Sequence, residues 1–187
     1  TFTANYRIGE AHTFTLNHVI STFHRTTRSY ISGSSKLSDF SIPKKTRKNI
    51  TGLSYRYMPS DKWNISAFTK YYNQYNEGPV SQNSDGIGNY TTLKKHLSSL
   101  GYGVAGTYFI IKDLQAKLSY EKAYRLPTTE ELFGDEDLEA GKADLKPERS
   151  DNFNLNLSYA YHIGKHAIYV EGSLIYRDTK DYIKRGI

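Results

Sequence analysis

The feature that most constrains this chain is a regular alternation of apolar and polar residues, repeated in about eight separate segments. In the first segment Phe2, Ala4 and Tyr6 share one face, while Thr3 and Asn5 lie on the other. A period of two is typical of β-strands, because successive side chains of a strand point to opposite faces. The pattern therefore predicts an all-β fold whose strands each have one apolar and one polar face.

The segments form four pairs, each joined by a few turn-forming residues. The predicted turns lie at 9–11, 59–61, 112–113 and 162–165. The connections between pairs, at 26–48, 76–97 and 124–150, are each on the order of twenty residues long. Short turns at one end of a sheet and long loops at the other are typical of antiparallel up-and-down barrels of the outer membrane. We therefore expect about eight strands in four hairpins of a transmembrane β-barrel.

Composition and segment length support a strand-based membrane protein. The chain has 17 Tyr, 8 Phe and 1 Trp but only 1 Met and 5 Pro, and aromatic residues favour strands. Segments of about ten residues suit a tilted strand that crosses the hydrocarbon layer. No run of about 18 apolar residues is present, which excludes a membrane-spanning helix but not a transmembrane strand.

Several function classes lack the residues they need. With no Cys, the chain has neither a disulfide framework nor thiol chemistry. The net charge of +6 is spread along the chain, apart from a cluster at 44–48, and no nucleic-acid recognition motif accompanies it. No catalytic set, cofactor motif or third ligand beside His162 and His166 is evident, so we expect no enzyme activity, no cofactor and no metal site.

Two blocks of residues flank the third long connection: YEKAYRLPTTEELFG at 120–134 and DLKPERS at 144–150. Pro127 and Pro147 each remove a backbone donor, so they mark places where strand pairing ends. Thr128 or Thr129 followed by Glu131 predicts a single capped helical turn between them.

The two blocks resemble the C-terminal barrel signature of TonB-dependent receptors. In that signature a strand ends in aromatic-Arg-x-Pro-Thr-x-x-Glu-Leu-aromatic, and the next strand follows Leu-Lys-Pro-Glu. The residues that carry the resemblance are Arg125, Pro127, Glu131, Leu145, Pro147 and Glu148. The acidic segment 135–142 departs from the short turn that relatives commonly have. The resemblance implies that 1–187 is a fragment of a larger barrel of about 22 strands, without the plug domain.

The resemblance also implies a function, which we state as an expectation. Such a chain would belong to a receptor in the outer membrane of a Gram-negative bacterium, importing an iron–siderophore complex, a cobalamin or a glycan. Its partners would be its own plug domain, a TonB-type energy-transducing protein, the lipid bilayer, lipopolysaccharide and the small nutrient ligand. Arg125, Glu131 and Glu148 would help to seat the plug; the alternative is that they are solvated loop charges.

Two further groups of residues are candidates for binding. Tyr72, Tyr75 and Asn76 are predicted to lie in a loop that faces the ligand, because aromatic and amide groups stack on and hydrogen-bond sugars or chelates. The alternative is an aromatic girdle. The basic residues at 44–48 either contact phosphates of the outer leaflet or remain solvated.

Two other architectures fit parts of the pattern. One is a complete eight-stranded outer-membrane barrel that acts as an adhesin, as a structural anchor or as a lipid-acting enzyme. The other is a soluble β-sandwich that binds carbohydrate, which would need two sheets packed face to face.

Overall fold

The structure, a computed structural model, describes residues 1–26, 43–81, 90–134 and 141–184. It contains eight strands and one short helix. The strands are β1 (Phe2–Ile8), β2 (His12–Arg25), β3 (Lys44–Ser60), β4 (Trp63–Ser81), β5 (Tyr90–Ile111), β6 (Leu114–Arg125), β7 (Glu148–Ile163) and β8 (His166–Lys180). The helix α1 (Thr129–Phe133) lies between β6 and β7.

The strands form a single antiparallel sheet in which each pairs with its neighbours in sequence, in the order β1 to β8. Four tight turns, at 9–11, 61–62, 112–113 and 164–165, join the two strands of each hairpin. Gly9 and Gly164 both have φ of 58°, a left-handed conformation that favours glycine. The predicted all-β, up-and-down arrangement of four hairpins is confirmed.

The sheet is one layer thick and open. Across the described residues, the backbone of each strand lies close only to its sequence neighbours, and the backbone of α1 lies close only to β3 and β4. No second sheet packs on the first, so the β-sandwich alternative is wrong for the part of the chain that the structure describes. Nor do the described strands β1 and β8 pair with each other, as a closed eight-stranded barrel would require.

The strand register separates the side chains into an apolar face and a polar face. On the apolar face Leu118 lies opposite Leu155, which lies opposite Leu174, and their exposed fractions are 62%, 37% and 72%. Exposing one such side chain to water forfeits about 1.5–3 kcal/mol relative to burying it. A continuous row of these residues is therefore costly in water but fits a hydrocarbon layer.

The opposite face is lined by hydrogen-bonded polar groups. Asn154 donates to Ser119 Oγ at 3.3 Å, and Asn156 donates to Ser173 Oγ at 2.9 Å. Arg177 Nε donates to Asn152 Oδ1 at 2.7 Å. These cross-strand bonds satisfy side chains that would be unfavourable in lipid, so this face is suited to a hydrated interior. We call it the lumenal face.

The strands extend further than the sequence predicts. The predicted connections 26–48 and 76–97 are too long, because β3 begins at Lys44 and β4 and β5 leave only 82–89 between them. On β4 the apolar row runs from Trp63 to Tyr71, close to the length of about 9–11 residues that crosses a bilayer. From Tyr72 to Glu77 polar side chains occupy both faces of β4. The alternation that marks a strand therefore disappears although the backbone pairing continues.

This extension corrects one prediction about the site. Tyr72, Tyr75 and Asn76 do not lie in a loop; all three lie in β4, within its paired region. Among the described residues, no helix has the length and apolar character needed to cross a membrane.

Two glycines of β5, Gly103 on the lumenal face and Gly106 on the apolar face, test how the lumenal wall is packed. A Cβ at Gly103 would lie 2.5 Å from Cζ of Phe68 and 2.7 Å from the Tyr120 carbonyl oxygen, whereas a Cβ at Gly106 would meet nothing within 4 Å. We expect Gly103→Val to lower the free energy of unfolding by about 1–3 kcal/mol, because overpacking displaces neighbouring atoms. Gly106→Val is the matched control and should change stability little. Urea titration would measure both, and equal effects of the two substitutions would contradict this packing.

Candidate functional site

The segment that follows β6 turns back and lies against the lumenal face of β3 and β4. Leu126 and Pro127 are buried, and Leu132 of α1 is 1% exposed. The ring of Phe133 covers Gly78, where an added Cβ would lie 2.6 Å from the ring. The absence of a side chain at Gly78 therefore leaves the space in which α1 docks.

Helix α1 begins with a complete capping box. Thr128 Oγ1 accepts from the backbone N–H of Glu131 at 3.2 Å, and a Glu131 carboxylate oxygen accepts from the backbone N–H of Thr128 at 2.7 Å. These bonds satisfy two backbone donors that a helix start leaves without partners. The predicted single helical turn is confirmed, with Thr128 as its cap.

Arg125 joins the helix to the ends of two strands. Its guanidinium lies 3.1 Å from a Glu131 oxygen and 3.4 Å from a Glu148 oxygen. Arg125 is the last residue of β6 and lies opposite Glu148, the first residue of β7. The three charges are thus paired with one another, which is the condition expected if they lie near the barrel interior. Their contact with a plug domain stays a prediction.

The environment of Glu131 favours its charged form. Burial acts to raise the pKa of this carboxyl group, but the hydrogen bond from the Thr128 backbone and the charge and hydrogen bond of Arg125 outweigh it. The pKa of Glu131 therefore lies below its usual range. A charged Glu131 holds the helix start and the strand end together.

Beneath α1 lies a group of side chains that we call the amide–lysine cradle, consisting of Lys44, Thr46, Gln74, Asn76 and Lys95. Thr46 is paired with Asn76 across β3 and β4, and Asn76 is paired with Lys95 across β4 and β5. Asn76 Oδ1 accepts from Thr46 Oγ1 at 3.0 Å and from Gln74 Nε2 at 2.7 Å. Gln74 and Asn76 are fully buried.

The cradle holds the segment that follows β6 through three of that segment's backbone carbonyl groups. Gln74 Nε2 donates to the Pro127 oxygen at 2.9 Å. Lys44 Nζ donates to the Gly134 oxygen, and Lys95 Nζ donates to the Ala143 oxygen, each at 2.6 Å. Gln74 Oε1 and Asn76 Nδ2 nevertheless remain buried without a hydrogen-bond partner.

The structure separates the predicted ligand-facing residues. Asn76 belongs to the cradle, and Tyr72 lies on the same lumenal face, beside Gly101. Tyr75 lies on the opposite face, where its hydroxyl group donates to Glu77 at 3.0 Å. The structure therefore brings Asn76 next to the motif at 125–134 but places Tyr75 outside the lumen. Contact of any of the three with a ligand stays a prediction.

The second motif block borders the same site. The backbone N–H of Leu145 donates to the Lys142 oxygen at 3.2 Å, and half-buried Pro147 immediately precedes β7. Sequence reasoning missed the contribution of Thr46, Gln74 and Lys95. The sequence carries no alternation that would reveal them, because polar residues occupy both faces here; the register of the extended strands brings them together.

A second feature of the lumenal face lies nearer the short turns. There the sheet encloses a concavity of about 950 Å³ whose lining includes Asn5, Arg7, Thr13 and Arg56. Arg7 and Arg56 both lie opposite Thr13 in the register, so two basic residues share this surface from strands β1 and β3 on either side of β2. Among the described residues, no group of three or more His, Asp or Glu side chains is placed to hold a metal ion.

Comparison with known proteins identifies the architecture. The family model described as "TonB dependent receptor-like, beta-barrel" matches residues 1–186. Among solved structures, the chain is similar to the hemophore receptor HasR of Serratia marcescens, a double mutant in complex with its hemophore HasA and heme. The TM-score is 0.56 at 14% sequence identity, and the alignment covers 95% of this chain but 31% of HasR. The chain thus spans about a third of that receptor. No curated protein matches.

We expect the docking of α1 to weaken in acid. Because the pKa of Glu131 is lowered, its stabilising contribution is complete above the usual glutamate pKa and is lost as pH falls through the lowered value. A nitroxide attached to Glu130→Cys, an exposed position of α1, would report docking as label mobility between about pH 7 and about pH 3. Mobility should rise at the acid end of this range.

Glu131→Gln is the control for this experiment. It removes the charge, so the label should already be more mobile at neutral pH and should respond less to acid. The same pH response in Glu131→Gln as in the unsubstituted chain would show that another group is responsible.

Proposed function

Because the chain belongs to the family of TonB-dependent receptor-like β-barrels, we propose that it forms part of the wall of an outer-membrane receptor that imports a scarce nutrient. The observation that carries the proposal is the division of one open sheet into an apolar face and a polar face, with an apolar row that fits a bilayer. The unpaired edges of β1 and β8 would join the remaining strands of a larger barrel.

The arrangement of turns suggests how this wall segment is oriented. In outer-membrane barrels the short turns face the periplasm and the longer connections face the outside of the cell. The four short turns would therefore be periplasmic, and α1 with the amide–lysine cradle would lie near the external opening. A nutrient entering from outside would therefore reach α1 before it reached the short-turn end of the lumenal face.

The basic cluster at 44–48 divides between the two faces. Lys44, Thr46 and Lys48 are lumenal, whereas Lys45 and Arg47 point outward beyond the apolar row, opposite Glu77 and Tyr75. Lys94, on the neighbouring strand, also points outward, opposite Glu77. A basic side chain near an anionic lipid surface contributes about 1 kcal/mol of attraction. We propose that these outward residues contact phosphate groups of lipopolysaccharide.

The lower concavity would receive the plug domain of the same receptor. Its two guanidinium groups suit acidic side chains of a plug, and its position near the short turns is on the periplasmic side, where a TonB-type protein would act. The imported nutrient would be an iron–siderophore complex, a cobalamin or a glycan. The role of the eight-stranded wall would be to hold the plug and to bind the ligand, without chemical catalysis.

Uptake by living cells tests the proposal. The whole receptor would be expressed in a Gram-negative host, and uptake of a ferric siderophore, cyanocobalamin and an oligosaccharide would be compared with and without the host's TonB-type protein. We expect uptake of one of these nutrients, and we expect it to require that protein. Absence of receptor-dependent uptake for all three would contradict the proposal.

Cysteine labelling checks the orientation in the same cells. A membrane-impermeant maleimide should label Lys146→Cys in intact cells, because this exposed position lies in the connection between β6 and β7. Lys165→Cys, in the short turn between β7 and β8, should react only after the outer membrane is opened. The reverse pattern would show that the sheet is inserted in the other direction.

A further inference from the structure

We propose that the apolar face of β5 and β6 binds one phospholipid, whose acyl chain lies in a groove of that face and whose headgroup lies at the short turns 61–62 and 112–113. The proposal rests on the proposed function, which places these turns at the periplasmic leaflet, and it adds a specific lipid partner to that function.

The groove lies on the apolar face where β5 pairs with β6, and we call it the β5–β6 groove. It has a volume of about 430 Å³, and Gly106 and Ala116 are the smallest outward-facing residues of its lining. The larger side chains of Ile65, Val104 and Leu118 lie beside them. A Cβ added at Gly106 would meet no atom within 4 Å, so the missing side chain leaves the space that forms the groove.

Aromatic ring pairs lie at both ends of the groove. Near the short turns the ring centroids of Trp63 and Tyr108 are 4.3 Å apart. At the other end those of Tyr120 and Phe153 are 4.7 Å apart. Along β6 the groove runs from Ala116 to Tyr120, a length of about 13 Å at about 3.3 Å per residue. A specific protein interface needs about 20–30 residues on each side, so a groove of this size suits a chain of methylene groups better than a protein.

The end of the groove near the short turns offers hydrogen-bond donors. Trp63 carries an indole N–H and Tyr108 a hydroxyl group, and neither has a hydrogen-bond partner among the described residues. Trp and Tyr are typical of the bilayer interface, where the ring contacts hydrocarbon and the polar group contacts headgroups. These two groups can therefore donate to the ester or phosphate oxygens of a phospholipid whose chain lies in the groove.

The two short turns at this end carry charges of both signs. The backbone N–H of Phe109 donates to the Lys62 carbonyl oxygen at 2.9 Å, which ties the turn 61–62 to the end of β5. Lys62 and Lys112 are exposed, and within the part of the chain that the structure describes neither ammonium group forms an ion pair. Asp61 and Asp113 place a carboxylate next to each lysine in the sequence. A headgroup that carries both a phosphate and an ammonium group, such as phosphatidylethanolamine, complements this arrangement.

The groove and the turns together explain why one lipid would be held here. Apolar character alone selects no site, because lipid chains solvate the whole apolar face equally well. An acyl chain in the groove is contacted from below and from both sides, so it gains more close contacts, and more dispersion energy, than a chain on the surrounding face. The headgroup contacts add to this preference.

The test measures phospholipid bound to the whole receptor by native mass spectrometry. Phosphatidylethanolamine is titrated into delipidated receptor in detergent, and the fraction of receptor that carries one lipid is recorded. Phosphatidylglycerol, which has the phosphate without the ammonium group, is the headgroup control. We expect saturable binding of one phosphatidylethanolamine molecule, at lower concentration than phosphatidylglycerol requires.

Two outward-facing glycines provide a matched pair of variants for the acyl chain. Gly106 lies in the groove and Gly172 lies on β8, outside it, and an added Cβ meets nothing within 4 Å at either position. We expect Gly106→Val to raise the half-saturating phosphatidylethanolamine concentration by about fivefold or more, because the new side chain occupies the space of the acyl chain. Gly172→Val should leave this concentration unchanged.

Two turn lysines provide a matched pair for the headgroup. Lys112 lies at the end of the groove, whereas Lys165 lies in the turn between β7 and β8. We expect Lys112→Gln to raise the half-saturating concentration about twofold to fivefold, the contribution of an exposed ion pair, and Lys165→Gln to leave it unchanged.

Several results would overturn the proposal. They are absence of a saturable phosphatidylethanolamine adduct, binding of phosphatidylglycerol at equal or lower concentration, and equal effects of the two substitutions in either matched pair. A receptor dimer that Gly106→Val dissociates would show instead that a second copy covers the groove.

Heat-modifiable mobility of each variant on gels would establish that the barrel has folded. Intact nutrient uptake by a receptor that retains no phospholipid would refute the groove alone. Absence of uptake with phospholipid retained would refute the import function and leave the groove in place.

Discussion

A hydrocarbon layer offers no hydrogen bonds, so every backbone N–H and carbonyl group within it must find a partner in the protein. The antiparallel ladder from β1 to β8 meets this requirement strand by strand and leaves the side chains free to divide between two surroundings. Apolar residues such as Leu118 and Leu174 take the outer face, and the asparagines of β7 take the lumenal face. The outer edges of β1 and β8 have no strand partner among the described residues, and the remaining strands of a larger barrel would supply one.

The same requirement organises the lumenal face, where polar side chains must also be satisfied. Arg125 is paired with Glu131 and Glu148, and Gln74 reaches the Pro127 carbonyl group. Helix α1 is held by such bonds and by the packing of Leu132 and Phe133 against the wall.

The strands that cross the apolar layer, the four turns and the capped helix could be predicted because each depends on local chemistry. The alternation at 153–161, the glycines at turns and the Thr128–Glu131 cap are readable without knowing what they contact. The ends of β3, β4 and β5 could not be read in this way, since polar residues occur on both faces of these strand ends and the period of two in hydropathy is lost. The docking of α1 depends on Gly78, which is 55 residues from Phe133, and on cross-strand pairing that no short window contains.

The central claim is that one face of this sheet contacts lipid while the other faces a hydrated lumen. Nitroxide labels placed one at a time on β6 from Leu114 to Tyr120, in the whole receptor in vesicles, test it most directly through their accessibility to oxygen and to a water-soluble nickel chelate. We predict that oxygen accessibility is high at 114, 116, 118 and 120, and that nickel accessibility is high at 115, 117 and 119. Accessibility without this alternation, or with the two sets exchanged, would contradict the account.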